Sequence, residues 1–293
     1  MLGEAMALAS AAFWAFGSAL AKNVTSRMSA FYLSVIRYSF GALLTVVICA
    51  AAGQLLLIGE TPARVLGILL GCSVVVMFGN VAFIRAIALD DVSRIFPLTN
   101  GLYIFLSVVA SILFADEPVT WRTGAGGFLV LVGIYFLSTG GRRLTSEQPK
   151  KGMSLRVLAI LMGTIAAVAW TVSLVGVSDA MKYVEALPAN AIRMPFVALM
   201  LVGINSATGD FKRQRTTRHD FLVVAVSGLL AGASSLTFVA ALKYASPATV
   251  AILNSTAPLF LAPTAYLFLK ERPTVKVLIG TVICVGGVIL TLL

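Results

Sequence analysis

Near the C-terminus, "ATVAILNSTAPLFLAPTAYLFLKERPT" (248–274) sets Asn254, Ser255 and Thr256 into a run otherwise suited to hydrocarbon, with Pro258 and Pro263 close behind. An amide and two hydroxyls are costly in lipid unless something bonds to them, and each proline frees a backbone carbonyl. Such a segment belongs where the backbone faces protein or a water-filled cavity. A second stretch, "SRIFPLTNGLYIF" (93–105), offers Pro97, Asn100, Gly101 and Tyr103. Both segments are therefore expected to be interrupted near their middle and to present donors and acceptors to a zwitterionic small molecule. Helix–helix hydrogen bonds without a ligand would use the same residue types.

Other residues could line the same cavity. Trp14 and Trp170 each stand about seven to ten residues from the nearer end of an apolar run, roughly 10–15 Å deep at the helical rise, too deep for an interfacial belt. An indole there offers a flat apolar wall and one N–H donor. Arg37 and Arg193 follow 23 residues after Trp14 and Trp170 respectively. They could clamp a substrate carboxylate, or snorkel and tie helices together. Asn80 and Arg85, in "GNVAFIRAIAL" (79–89), carry the same two readings.

The absences narrow the chemistry. None of the twelve acidic residues falls at the midpoint of an apolar run; Glu4 comes nearest, at the very start of the first. A carboxylate that alternates between proton and organic cation is therefore not expected. The single histidine, His219, has no second ligand at metal spacing. Cys49, Cys72 and Cys284 all lie in apolar runs, without a CxxC pair. No nucleophile–base pair and no Walker A motif occur, so neither an intramembrane enzyme nor a direct ATPase is expected, and no cofactor or metal is called for.

The elements that must position these residues are membrane helices. The chain is 59% hydrophobic with a mean hydropathy of +0.98, and only 12% of it is charged, well below a soluble domain. Apolar runs long enough to span lie at 5–21, 31–51, 65–89, 95–115, 123–139, 155–178, 187–207, 221–242, 247–269 and 275–293. The net charge of +10 sits in the connections, where it meets headgroups; a nucleic-acid partner is not expected. "SALAK" (18–22) resembles a cleavage site, but the acidic start "MLGEAM" is wrong for a signal peptide, so the first segment is expected to be kept.

The two halves repeat. Trp14/Trp170 and Arg37/Arg193 share an offset of 156; Asn100/Asn254, Glu117/Glu271, Thr120/Thr274, Gly126/Gly280 and Gly133/Gly287 share 154. This divides the chain into a five-span repeat at 1–141, a polar linker at 142–153 and a second five-span repeat at 154–293. An odd number of spans per repeat inverts the second relative to the first, as in secondary transporters. The expected fold is an all-α membrane protein of ten transmembrane helices in two inverted five-helix repeats. "GILLG" (67–71) and "GLLAG" (228–232) are read as close helix contacts.

This arrangement, with Trp in spans one and six, Arg in spans two and seven, and the closing "FADEPVT" (114–120) and "FLKERPT" (268–274), resembles the EamA type of the drug/metabolite transporter superfamily over essentially the whole chain. The resemblance implies export of amino acids, other small metabolites or drugs through a central cavity. The expected function is secondary transport of amino acids, apolar and aromatic ones included, or similar neutral or zwitterionic metabolites, by alternating access. An exporter of organic cations with the same fold is the alternative, and a channel the next. The carrier is expected to act as a monomer in a bacterial-type inner membrane, with a small molecule and the bilayer as partners. Sixteen Lys/Arg fall on the face holding the odd-numbered connections and four on the other. The positive-inside rule puts the face of sixteen in the cytoplasm and both termini outside; the family resemblance suggests the opposite.

Overall fold

A computed structural model describes residues 1–22, 24, 27–89, 92–114, 120–140, 153–208, 216–260 and 274–293. Among these residues no strand occurs. The α-helices are α1 (Leu2–Lys22), α2 (Ala30–Ala51), α3 (Ala63–Leu89), α4 (Val92–Phe114), α5 (Trp121–Gly140), α6 (Met153–Ala180), α7 (Ala186–Thr208), α8 (Arg218–Tyr244), α9 (Pro247–Asn254) and α10 (Val275–Leu292). Each coincides with one expected span. A 3-10 turn at Leu55–Ile58, which hydropathy does not announce, links α2 to α3. Six of the described helices are long and apolar enough to cross a bilayer. Many point large apolar side chains outward, among them Phe78, Phe105, Phe128, Leu199 and Val282. Water would penalise such surfaces; lipid does not.

Helix starts follow local chemistry. Ser29 caps α2 by accepting the Tyr32 N–H at 3.2 Å. Ser246 caps α9 by accepting from Thr249 N–H, and Pro247 opens that helix where a missing N–H costs nothing. The free N–H of Ala248 is satisfied from α4, by Ser111 Oγ at 2.9 Å.

The chain divides into two compact units. The first holds Val74–Gly176 and Ala245–Leu293, together with Met1; the second holds Leu2–Ser73 and Val177–Tyr244. Helices α3 and α6 each contribute to both.

In the first unit α5 and α10 pack through glycine. A Cβ at Gly126 would come within 2.7 Å of the Gly287 carbonyl, and one at Gly133 within 2.8 Å of the Gly280 carbonyl. One number falls as the other rises, so the helices are antiparallel. Cys284 Sγ donates to the Val130 carbonyl at 3.5 Å. Ile104, Val130, Ile134, Ile252 and Cys284 bury together, which joins α4, α5, α9 and α10. Helices α3, α4 and α6 meet through Ala86, Ile95 and Ala159.

In the second unit α1 and α8 are stitched by serine. Ser10 Oγ donates to the Ser234 carbonyl and Ser234 Oγ to the Ser10 carbonyl, both at 2.9 Å; Ser227 Oγ donates to the Gly17 carbonyl at 2.6 Å. Helix α2 crosses α8 at Gly41, Gly228 and Gly232, where an added Cβ at Gly232 would lie 2.8 Å from Gly41 backbone. The GxxxG stretch at 228–232 is thus a close helix contact. Gly67 and Gly71 of the other stretch have nothing within 4 Å among the described residues, which therefore do not make the expected contact there. Helix α2 meets α7 through Tyr38, Ala42, Met194 and Ala198.

Candidate functional site

The expectation of two interrupted spans holds for one and fails for the other. Helix α9 stops at Asn254 because Pro258, four residues on, has no N–H for the Asn254 carbonyl and its ring crowds that carbonyl. Ser255 N–H still reaches Ala251, but Thr256 N–H bonds Leu253, one residue short of the α-helical partner. Helical geometry resumes at 257–260. Pro263 and the rest of the expected span to 269 lie outside the described residues. Helix α4, by contrast, runs unbroken from Val92 to Phe114 through Pro97, Asn100 and Gly101. The physical reason is position. Pro97 is the sixth residue of α4, so it removes one bond near the helix start. The offset of 154 places Pro97 opposite Ala251 and Pro258 opposite Ile104. The two asparagines are repeated; the prolines are not.

The break leaves unmatched polar atoms in the first unit. Asn254 Oδ1 and Ser255 Oγ are buried without a hydrogen-bond partner. Thr256 is fully buried and donates to the Leu253 carbonyl at 2.6 Å. These three expected site residues are contiguous, on a segment that packs against α4 through Ile252 and Ile104.

A second cluster in the same unit gathers three more. Trp170 Nε1 of α6 donates to Asn80 Oδ1 of α3 at 2.9 Å. The indole meets Tyr103 of α4 edge-on, with centroids 5.9 Å apart at 88°, and Phe83 of α3 at 5.2 Å. Gly79 makes this possible: a Cβ there would sit 2.8 Å from Ala169 Cβ and 3.3 Å from the indole. Asn100 is buried one turn before Tyr103. Phe83 is a wall the sequence reading did not single out. Arg85 lies on an exposed part of α3.

The remaining expected residues belong to the second unit. Trp14 is 41% exposed on α1 and is not locked as Trp170 is. The Nε atoms of Arg37 on α2 and Arg193 on α7 are buried and unpartnered, and Tyr38 lies within electrostatic reach of both guanidinium groups. Asn190 and Ser235 went unnoticed in the sequence; Ser235 Oγ donates to Asn190 Oδ1 at 2.8 Å. The available signals were that Asn190 precedes Arg193 by three residues and that Ser235 follows Asn80 by 155.

At the helix ends of this unit lies a cavity of about 300 Å³, lined by Glu60, Thr61, Lys182, Tyr183, Glu185 and Lys243 among others. Lys243 pairs there with Glu185, and Lys182 with Asp179 at 3.3 Å. None of the expected site residues lines it. Among the described residues no group of His, Cys, Asp and Glu could hold a metal ion, and all three cysteines are free and buried.

The profile of the EamA-like transporter family matches residues 1–139 and 157–293. The chain belongs to that family. It is a multi-pass membrane protein of the drug/metabolite transporter superfamily, built to transport. An uncharacterized transporter of Archaeoglobus fulgidus is 22% identical over all 293 residues, covering 100% of this chain and 99% of its own. The uncharacterized transporter YvbV of Bacillus subtilis is 24% identical over 139 residues, 47% of this chain and 45% of its own. A crystal structure superposes on 98% of this chain and 95% of its own length with a TM-score of 0.80 at 18% identity, a likeness of fold.

Proposed function

We propose that this transporter is a secondary carrier that exports amino acids, apolar and aromatic ones included, or similar zwitterionic metabolites, by alternating access. The observation that carries the reading is the break in α9, where Asn254 Oδ1 and Ser255 Oγ stay buried and unpartnered in an otherwise apolar segment. An acceptor left unmatched is a cost that a bound N–H or ammonium group would remove. Trp170, Tyr103 and Phe83 provide aromatic surface in the same unit, as apolar cargo requires. No carboxylate sits at the middle of a described helix, which favours a zwitterion over an organic cation.

Alternating access rests on inversion of the two halves, and several contacts support it. The repeat pairs Gly126 with Gly280 and Gly133 with Gly287; the contacts pair Gly126 with Gly287 and Gly133 with Gly280. Exchanging the halves thus maps the interface onto itself, as a two-fold relation requires. Val130 and Cys284, 154 apart, touch each other, and Tyr38/Met194 and Ala42/Ala198, each 156 apart, gather in one cluster. The ten-span order also brings Arg122, at the start of α5, to the carbonyl of Leu293 at 2.8 Å, and Arg27, between α1 and α2, to Asp220 at the start of α8 at 3.2 Å. Two separate profile matches fit a duplication.

The carrier acts as a non-catalytic monomer in a bacterial-type inner membrane, its Lys/Arg-rich face in the cytoplasm, without a nucleic-acid partner. Asn254→Ala is the test of the site. Transport of amino acids should fall about tenfold, the loss of one hydrogen bond to a charged group, with unchanged melting in detergent. Unaltered kinetics would refute the assignment.

A further inference from the structure

Helix α7 carries two buried donors, on Asn190 and Arg193, that no acceptor among the described residues meets. Asn190 is fully buried. Ser235 Oγ occupies its Oδ1 at 2.8 Å, which turns the amide so that Nδ2 is the open end, and Nδ2 has no partner. Three residues further, one turn along the same face, Arg193 Nε is also buried without a partner. No carboxylate among the described residues pairs with Arg193. The groups within its electrostatic reach, Tyr38 and Cys72, are a phenol and a thiol, not carboxylates. Pro195, two residues on, supplies no N–H to the Ala191 carbonyl, so the backbone of this turn is not a closed ladder. Arg193 as a whole is half-buried, and a guanidinium whose Nε is shut off from water with no counter-ion is an unfavourable arrangement. A donor-only pair is what an anion with two oxygens completes.

We infer that Asn190 and Arg193 form a carboxylate subsite in the second unit, with the amide Nδ2–H on one oxygen and the guanidinium Nε–H on the other. As the seat of a transported amino acid's carboxylate, the subsite rests on the proposed cargo; as a carboxylate site it stands alone. It has no twin in the other half. The repeat places Arg37 opposite Arg193, but Ser34 opposite Asn190, and a hydroxyl supplies no second N–H. Arg37 is also held on α8, where its Cα and carbonyl lie 2.9 and 2.7 Å from where a Gly228 Cβ would stand.

The experiment measures melting of the purified transporter in detergent with acetate or phenylacetate, against acetamide or phenylacetamide and against chloride at equal ionic strength. The carboxylates should raise the melting temperature of the wild type, and the amides and chloride should not. Arg193→Gln should weaken the apparent affinity for phenylacetate at least about tenfold. Asn190→Asp, isosteric and anionic, should abolish the effect while the protein still melts cooperatively. No stabilisation of the wild type, an equal effect of chloride, or full retention in either variant would overturn the subsite. Counterflow of amino acids is read separately. Its absence beside carboxylate stabilisation would sink the cargo and leave the subsite standing.

Discussion

The α3–α6 contact in the first unit and the α1–α8 contact in the second join spans that correspond by the 154–156-residue sequence offset, yet they are built differently. In the first, Trp170 is fixed by Asn80 and flanked by Tyr103 and Phe83. In the second, serines at positions 10, 227 and 234 hold the helices and Trp14 stays 41% exposed. The unmatched polar atoms differ as well. At the α9 break they are an amide oxygen and a hydroxyl; at Arg37, Asn190 and Arg193 they are guanidinium and amide nitrogens. The sequence offset pairs helix positions and glycines across the two halves, while the side chains between them differ. A repeated residue therefore shares a place, not a task.

The largest effect is expected at the glycines that the two halves share. Gly287→Leu drives a side chain into the Gly126 carbonyl and Val130 N–H, both 2.7 Å from the Cβ position. It should cost about 3 kcal/mol or more and abolish the monodisperse peak in size-exclusion chromatography. Gly67→Leu, with open space around it, should behave as wild type. Next comes the tryptophan pair. Trp170→Ala should lose about 3 kcal/mol of stability and Trp14→Ala less than about 1 kcal/mol, read as melting in detergent. Equal losses would mean that the two contacts are equivalent after all. The smallest effect is expected at the rim. Lys243→Gln removes an ion pair whose Glu185 is half exposed, and should change stability by less than about 0.5 kcal/mol. Arg27→Gln, which strips a partner from the buried Asp220, should cost more, about 1–2 kcal/mol.

Helix positions were legible because a bilayer demands some twenty apolar residues in sequence, and that demand is local. The break in α9 was legible for the same reason: a proline acts on the carbonyl four residues before it. The unbroken α4 was not legible, because a proline's distance from the helix start, and not its presence, decides whether the helix breaks. The grouping of Asn80, Tyr103 and Trp170 depends on how α3, α4 and α6 meet, which no single segment encodes. Only Gly79, small beside an asparagine, hints at it. Asn190 was passed over because its meaning comes from Ser235, 45 residues away, which takes its oxygen.

Counterflow in proteoliposomes loaded with amino acids, organic cations or phosphorylated sugars, with no ion gradient, decides whether this is a carrier for zwitterionic cargo. Saturable exchange of amino acids, and of neither other class, is the predicted result. Exchange of organic cations, or silence until a proton gradient is applied, would contradict the account and direct attention to Glu4 at the start of α1.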